Sequence, residues 1–310
     1  MNAPVLDHPQ LDHDVPLAPM TTYKLGGSAA AFFDATDETT LRTVLGSVAP
    51  EVPIFVLGRG SNVVFSDAGY PGLVVRLGGD FLAVDIEEAG QMVAGGAVPL
   101  PRLARIAAEA GRGGLEFYVG IPGSVGGAVR MNAGGHGSDT REWLIAARVL
   151  DIRTGEVSLR DPVSLDLSYR HSDLSDDDLV LQARYRTVSR PRREADETIR
   201  AITRWRREHQ PGGTLNAGSV FKNPPDDSAG RVIDETGLKG YRRGGISVST
   251  MHANFFVAGD DATAQDVWDL VWAVRKRVGE ETGIWLEPEL RFAGPFRRSA
   301  DELGRSGGSR

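Results

Sequence analysis

Two stretches of this sequence are dense in glycine and short of lysine. Leu57 to Asp67 reads LGRGSNVVFSD, with Gly58 and Gly60 leading into Ser61 and Asn62, and Gly120 to Gly137 reads GIPGSVGGAVRMNAGGHG, with Gly120, Gly123, Gly126 and Gly127. Each follows apolar, strand-like residues. Successive backbone N–H groups in such loops can face a pyrophosphate without a cationic side chain. Asn62 and Asn132 can each donate and accept a hydrogen bond beside them. Neither stretch carries a GxxxxGK[ST] run or a GxGxxG that opens a helix after a strand. Glycine-rich loops are often plain tight turns, so only the pair together points to a dinucleotide site, one of a non-Rossmann kind. A third stretch, NAGSVFKNPP from Asn216 to Pro225, fits neither an amphipathic helix nor an alternating strand. Ser219 there follows Gly218 and precedes Lys222 and Asn223. Taken alone, a Gly-Ser pair is best read as a serine bonding its own turn backbone.

Other chemistry is set aside. The sequence has no cysteine, which excludes disulfides, thiolate catalysis and cysteine metal sites. Its six histidines show neither HExxH nor paired spacing, so no metal site is expected. Ser124 in PGSVGG does not form a GxSxG elbow, and no hydrolase triad is supported. The formal net charge is −7 and no long basic run is present, so neither nucleic acid nor an anionic membrane is an expected partner. No apolar run reaches the roughly 18 residues a bilayer demands. The N-terminal residues lack the basic start and apolar core of a signal peptide. Cytoplasm is the expected compartment, and nothing fixes an oligomeric state.

The elements that must position these residues alternate without a strict βαβ repeat, and the expected class is α+β. TDETTLRTVLGSVA predicts a helix capped by Thr36 or Asp37 with Leu41, Val44, Leu45 and Val48 on one face. Strands are expected in PIFVLG, LVVRL, FLAVDI, QMVAGG, LIAARVLDI, EVSL and DDLVLQARYRTV. PLPRLARIAAEAG predicts a helix stopped by Gly111, and RREADETIRAITRWRREHQ a charged connecting helix. TAQDVWDLVWAVRKRVGEETG predicts a helix with Thr263 and Asp266 as a capping box and Val267, Leu270, Val271, Val274 and Val278 as its buried stripe. LEPELRF is expected to close the fold as a strand, which puts Glu287 and Glu289 on one face.

LGRGSN, GIPGSVGGAVRMNAG, SYRHS, NAGSVFKNP, STMHANFFV and LEPELRF follow in that order, and between Thr22 and Phe292 the sequence resembles the UDP-N-acetylenolpyruvoylglucosamine reductases. The resemblance implies a two-lobed FAD-binding region of the PCMH type (19–75 and 76–192), which shares the flavin, and an α+β substrate-binding domain (193–296) that covers the substrate. Residues 1–18 and 297–310 are expected as unstructured tails. It implies reduction of UDP-N-acetylglucosamine enolpyruvate to UDP-N-acetylmuramate, with FAD as cofactor and NADPH as reductant, in peptidoglycan precursor synthesis.

Residue by residue, the resemblance makes Ser219 the proton donor, Arg170 the cation that meets the developing enolate and the substrate carboxylate, and Glu289 the catalytic glutamate. It assigns the flavin to Gly58, Arg59, Gly60, Ser61, Asn62, Gly120, Pro122, Gly123, Ser124, Gly126, Gly127, Asn132 and Gly134, and the substrate to Tyr169, Lys222 and Asn223. For Arg170 the ordinary alternative is a surface salt bridge with Asp173 and Asp176. Asn254 is left without a role. Gly135 and His136 depart from the family's pattern after MNAG, and the compact C-terminal region places the sequence in the shorter subgroup. The alternatives are a related flavin oxidoreductase with another substrate and a non-catalytic flavin-binding paralogue.

Overall fold

A computed structural model describes residues 8–298. Of the expected tails, residues 1–7 and 299–310 lie outside the described residues. The expectation of a tail to residue 18 is corrected for the rest. Asp12–Pro16 is a strand, Ala18–Met20 a 3-10 turn, and Leu11 and Leu17 are buried. Polar side chains hid this segment, because an edge strand needs only its backbone to pair.

The chain forms two compact units. The first takes in the chain up to Asp14, Ala30–Arg59 and Gly72–Arg206, and the second Val15–Ala29, Gly60–Pro71 and the chain from Arg207 onward. The mixed helix and strand content is that of an α+β protein.

In the first unit a five-stranded antiparallel sheet runs in the order Val157–Arg160, Leu144–Asp151, Asp178–Tyr185, Met92–Gly95, Val84–Ile86. The helix Leu100–Glu109 buries Leu100, Leu103, Ala104, Ala107 and Ala108, the i, i+3, i+4, i+7, i+8 stripe that a 3.6-residue period places on one side. It stops just before Gly111, as expected. Tyr118, Val125, Leu144 and Val149 belong to the same core, to which the helix Arg192–His209 adds Ala195, Ile199 and Ile202. Each large apolar side chain so buried contributes roughly 1.5–3 kcal/mol. A second core holds Leu41, Val44 and Leu45 of the helix Glu38–Ser47, whose cap is Asp37, accepting from Thr40 N at 2.8 Å. Ile54–Leu57 pairs in parallel with Leu73–Arg76 and delivers the chain into the first glycine loop.

FLAVDI does not form one strand. Gly79–Leu82 makes a 3-10 turn and only Val84–Ile86 is extended, because Phe81 turns inward to the core while its neighbours stay outside.

In the second unit a three-stranded antiparallel sheet, Arg242–Arg243, Ile246–Val248 and Phe256–Ala258, packs with the helices Ala229–Glu235 and Ala264–Thr282. The long helix has the expected Thr263–Asp266 capping box and buries Val267, Leu270, Val271, Val274 and Val278. Tyr23 is fully buried there and donates to Phe256 O at 3.0 Å. LEPELRF is a strand only over Arg291–Ala293, paired in parallel with Val63–Phe65. Pro288 lacks the N–H that a longer ladder needs, so Glu287–Glu289 is extended through a single bridge to Phe221.

Candidate active site

The expected site residues divide between the two units. In the first, Ile54–Leu57 leads into Gly58, and a side-chain carbon on Gly58 would lie 2.8 Å from Ser124 Oγ. The two glycine loops therefore meet in the same unit, where a Cβ would have to displace the Ser124 hydroxyl. The second loop is docked by main-chain bonds: Leu100 N donates to Gly123 O (3.0 Å), Val125 N to Val98 O (3.0 Å) and Gly126 N to Gly96 O (2.9 Å). Ser124 is buried, and its Oγ accepts from Gly127 N. Gly60, in the second unit, has φ +62°, and a Cβ there would come within 2.1 Å of Met20 O. Only glycine fits that turn.

Asn132 follows the second loop with φ +39° and is 1% exposed. Its Oδ1 accepts from Arg141 N (2.8 Å), and its Nδ2 donates to Ser168 O (2.9 Å) and Asp139 Oδ2 (3.2 Å). Both amide hydrogens are thus engaged within the protein, and Asn132 braces the loop against Ser168 and Asp139. Below it Thr140 Oγ1 donates to Ala133 O and meets Tyr118 OH at 2.9 Å, and burial pushes the Tyr118 phenol up to about 12.

Ser168–His171 is a tight reversal closed by two backbone bonds, with Tyr169 and Arg170 at its tip. Arg170 has φ +54°, an uncommon conformation for a side chain of its size. Its guanidinium donates from Nη2 to Gly134 O (3.0 Å) and lies 5.2 Å from the centre of the Tyr169 ring. Asn132 and Arg170 therefore tie the MNAG loop and the hairpin to each other from both ends. Asp176 faces Arg130 at 3.7 Å. His136 sits edge-on to Trp205 at 5.2 Å, and burial, with Arg206 nearby, holds its ring below the usual imidazole range.

In the second unit Gly218 takes φ +75°, and its N–H donates to Asn216 Oδ1 at 3.0 Å. That Asx-type turn aims Ser219. Among the described residues the Ser219 hydroxyl has no hydrogen-bond partner, so it is not bonded to its own turn. Ser219 bridges to Phe255, Glu289 N donates to Val220 O (2.8 Å), and Lys222 N donates to Glu287 O (2.9 Å). Lys222 Nζ pairs with Glu287 Oε1 at 2.7 Å, and Glu287 is 68% exposed. The structure thus separates the two glutamates that the sequence left on one face: Glu287 neutralises the lysine. Glu289 is held through its backbone, its carbonyl accepting from Asn62 Nδ2 at 3.0 Å. Asn223 is exposed, and its Oδ1 accepts from Ala229 N (3.1 Å) at the start of a helix.

An open cavity of about 840 Å³ lies in the same unit, lined by Arg207, Gln210, Arg242, Ser247, Ser249 and Val257 among others. Arg242 pairs with Ser247 and Ser247 with Val257, and cross-strand partners point to one face. Phe255, two residues before Val257, bridges to Ser219.

Residues 210–293 match the model of the C-terminal domain of UDP-N-acetylenolpyruvoylglucosamine reductase, and residues 29–159 match an FAD binding domain. A UDP-N-acetylenolpyruvoylglucosamine reductase of Paramagnetospirillum magneticum is 41% identical over 294 residues, 94% of each chain, and that of Parvibaculum lavamentivorans 39% identical over 286 residues, 92% of this chain and 91% of the relative. The chain belongs to the UDP-N-acetylenolpyruvoylglucosamine reductase family. The crystal structure of the Thermus caldophilus reductase superposes with a TM-score of 0.79 at 38% identity, covering 90% of this chain and 98% of that one.

The residues present fit the family's flavin. Among the described residues, the backbone N–H groups of Arg59, Gly123 and Ser124 in the first unit, and of Gly60, Ser61 and Asn62 in the second, donate to no protein acceptor. Such donors, beside glycines that keep side chains away, suit a pyrophosphate in a protein whose net charge is negative.

Two contacts at the candidate site went unread in the sequence. Asn216 is signalled only by standing two residues before a glycine. The grip of Asn62 on Glu289 joins positions 227 residues apart and has no local signal.

Proposed function

We propose that Ser219, Arg170 and Glu289 carry the proton and charge chemistry of the family's reaction in this chain. That reaction is the FAD-dependent reduction of UDP-N-acetylglucosamine enolpyruvate to UDP-N-acetylmuramate, a step of peptidoglycan precursor synthesis. FAD, when bound, supplies the hydride that NADPH provides and the enolpyruvyl C3 receives. Gly58, Arg59, Gly60, Ser61, Gly120, Pro122, Gly123, Ser124, Gly126, Gly127 and Gly134 form its surroundings, with Asn62 and Asn132 bracing the loops. Hydride arrival at C3 leaves enolate-like charge at C2 and on the carboxylate. The Arg170 guanidinium, permanently charged and planar, stabilises that charge. Ser219 gives C2 its proton, and Glu289, beside Val220 through its own N–H, joins it in handling that proton. Tyr169, Lys222 and Asn223 border the substrate, and the cavity lined by Arg207, Gln210 and Arg242 gives room for the rest of the nucleotide sugar.

The observation that carries the reading is family membership over nine-tenths of the chain with the three residues in place. The uncommitted hydroxyl of Ser219 supports it. Among the described residues no helix is long and apolar enough to cross a membrane. The cytoplasm, where NADPH and nucleotide sugars are made, is the compartment that suits the reaction.

The test is NADPH oxidation by purified holoenzyme with and without UDP-N-acetylglucosamine enolpyruvate, in wild type and Ser219→Ala. Substrate-dependent oxidation that falls by about 10²–10³-fold in the variant is expected, the scale of losing one aligned donor. A protein that takes electrons from NADPH but ignores this substrate would sink the reading.

A further inference from the structure

Ser219 begins a short extended segment, Ser219 to Lys222, and its buried backbone groups must all be satisfied. Val220 N donates to Asn254 O at 2.9 Å, and Val220 O accepts from Glu289 N at 2.8 Å. Phe221, 1% exposed, differs from both its neighbours. Its N–H donates to Asn254 Oδ1 at 2.9 Å, and its carbonyl accepts from Asn254 Nδ2 at 2.9 Å. One side-chain amide thus does for Phe221 what a neighbouring strand would do with two main-chain groups.

Asn254 is itself 2% exposed and fixed from behind. Its N–H donates to His252 Nδ1 at 3.2 Å, and Ser249 Oγ accepts from the N–H groups of Met251 and His252. The clamp therefore has a rigid base and a single purpose. It sets the backbone two residues after Ser219 and one before Lys222. A segment held at that point cannot carry the backbone of Ser219 or Lys222 away without breaking two buried hydrogen bonds, each of which leaves an unsatisfied group behind.

We propose that Asn254 is the positioning residue of this site, setting through Phe221 the backbone from which the Ser219 hydroxyl and the Lys222 ammonium project. The inference rests on the reading of Ser219 as the proton donor. Aspartate at 254 would keep the acceptor for Phe221 N–H but lose the donor to its carbonyl, and alanine would lose both.

The holoenzyme is compared as wild type, Asn254→Ala, Ser219→Ala and the double variant, by stopped-flow measurement of flavin reduction with NADPH and of reoxidation with UDP-N-acetylglucosamine enolpyruvate. In Asn254→Ala, reoxidation is expected to slow by at least about tenfold while reduction stays within about twofold, since only the former needs the serine's proton. Added to Ser219→Ala, the substitution is expected to slow reoxidation by less than about twofold further, because residues that act as a unit are not additive. Amide hydrogen exchange at Phe221 is expected to rise in Asn254→Ala, a readout independent of turnover. Should the alanine variant fail to fold, Asn254→Asp, which keeps the acceptor for the Phe221 N–H, takes its place in the same series. An Asn254 variant that folds and reoxidises at the wild-type rate, or a double variant with fully additive losses, overturns the proposal and leaves Asn254 a core amide. A wild-type rate in Ser219→Ala overturns the reading of Ser219 first and the proposal with it.

Discussion

In the Gly120–Gly127 loop the bonds that set the backbone run from main chain to main chain, from Leu100, Val125 and Gly126, and what the loop needs from its side chains is mostly their absence. Around Ser219, side-chain amides are added to the main-chain bonds. Asn216, Asn254 and Asn62 hold Gly218, Phe221 and Glu289 through their side-chain amides, and the turn needs one glycine. The difference follows from what each region is proposed to handle. A pyrophosphate is met by N–H groups, which any residue supplies provided nothing stands in front of them. A proton is delivered from one oxygen, and its position depends on the side chains that fix its backbone.

Where a glycine loop depends on the absence of side chains, adding a single methyl group to it should do far more damage than its chemistry suggests. Gly60→Ala places a Cβ within 2.1 Å of Met20 O at a positive φ. The expected loss is about 1–3 kcal/mol of stability, from strain and displaced backbone, together with at least about tenfold weaker FAD binding. Fluorescence titration of apoprotein with FAD measures the second effect, and unchanged affinity would break the comparison on that side.

Removal of an amide from the first region should resemble a change in the second, because Asn132 is the one clamp there built like Asn254. Asn132→Ala removes three hydrogen bonds around a buried position and is expected to cost about 1–3 kcal/mol in chemical denaturation. It should also raise the KM for the UDP-sugar by loosening the Arg170 hairpin. FAD affinity is expected to change little, since neither amide hydrogen is free to reach a ligand. A variant that loses FAD and keeps its KM would return Asn132 to the cofactor.

The smallest expected effect is that of acid. Burial holds both His136 in the first region and His252 in the second below the imidazole value of 6.5. A histidine with a lowered folded-state pKa binds protons more readily when unfolded. Its stabilising contribution is therefore complete above pH 6.5 and declines as the pH falls below that value towards the folded-state pKa. His252 Nδ1 also accepts from Asn254 N, which a doubly protonated ring cannot do. Denaturant midpoints between pH 8 and pH 5 should fall less steeply in His252→Gln than in wild type. A parallel slope would show that the histidine next to the clamp does not feel it.

Much of the fold was legible because its signals are local. The stripe of Val267, Leu270, Val271, Val274 and Val278, the Thr263–Asp266 box and the Asp37 cap each depend on residues within one or two turns. FLAVDI and LEPELRF misled for related reasons. In the first the apolar residues serve an inward turn around Phe81, and in the second Pro288 cannot donate to a ladder. The opening segment was missed because its pairing uses backbone, which composition does not reveal. Within the site, the glycine loops and the Ser219 turn stood out by residue type. The roles of Asn132, Asn62 and Asn254 did not, since an asparagine bonded to a backbone far along the chain looks like any other.

The sequence by itself determined where the chain can turn, where no side chain can stand, and which residues could move a proton or meet a negative charge, because each of these is a property of a residue and its near neighbours. The tertiary structure alone decided that Gly58 lies against Ser124, that Glu287 rather than Glu289 pairs with Lys222, and that Asn62, Asn132 and Asn254 each hold backbone far along the chain. A hydrogen bond is satisfied at about 3 Å in space, and no distance along the sequence specifies it.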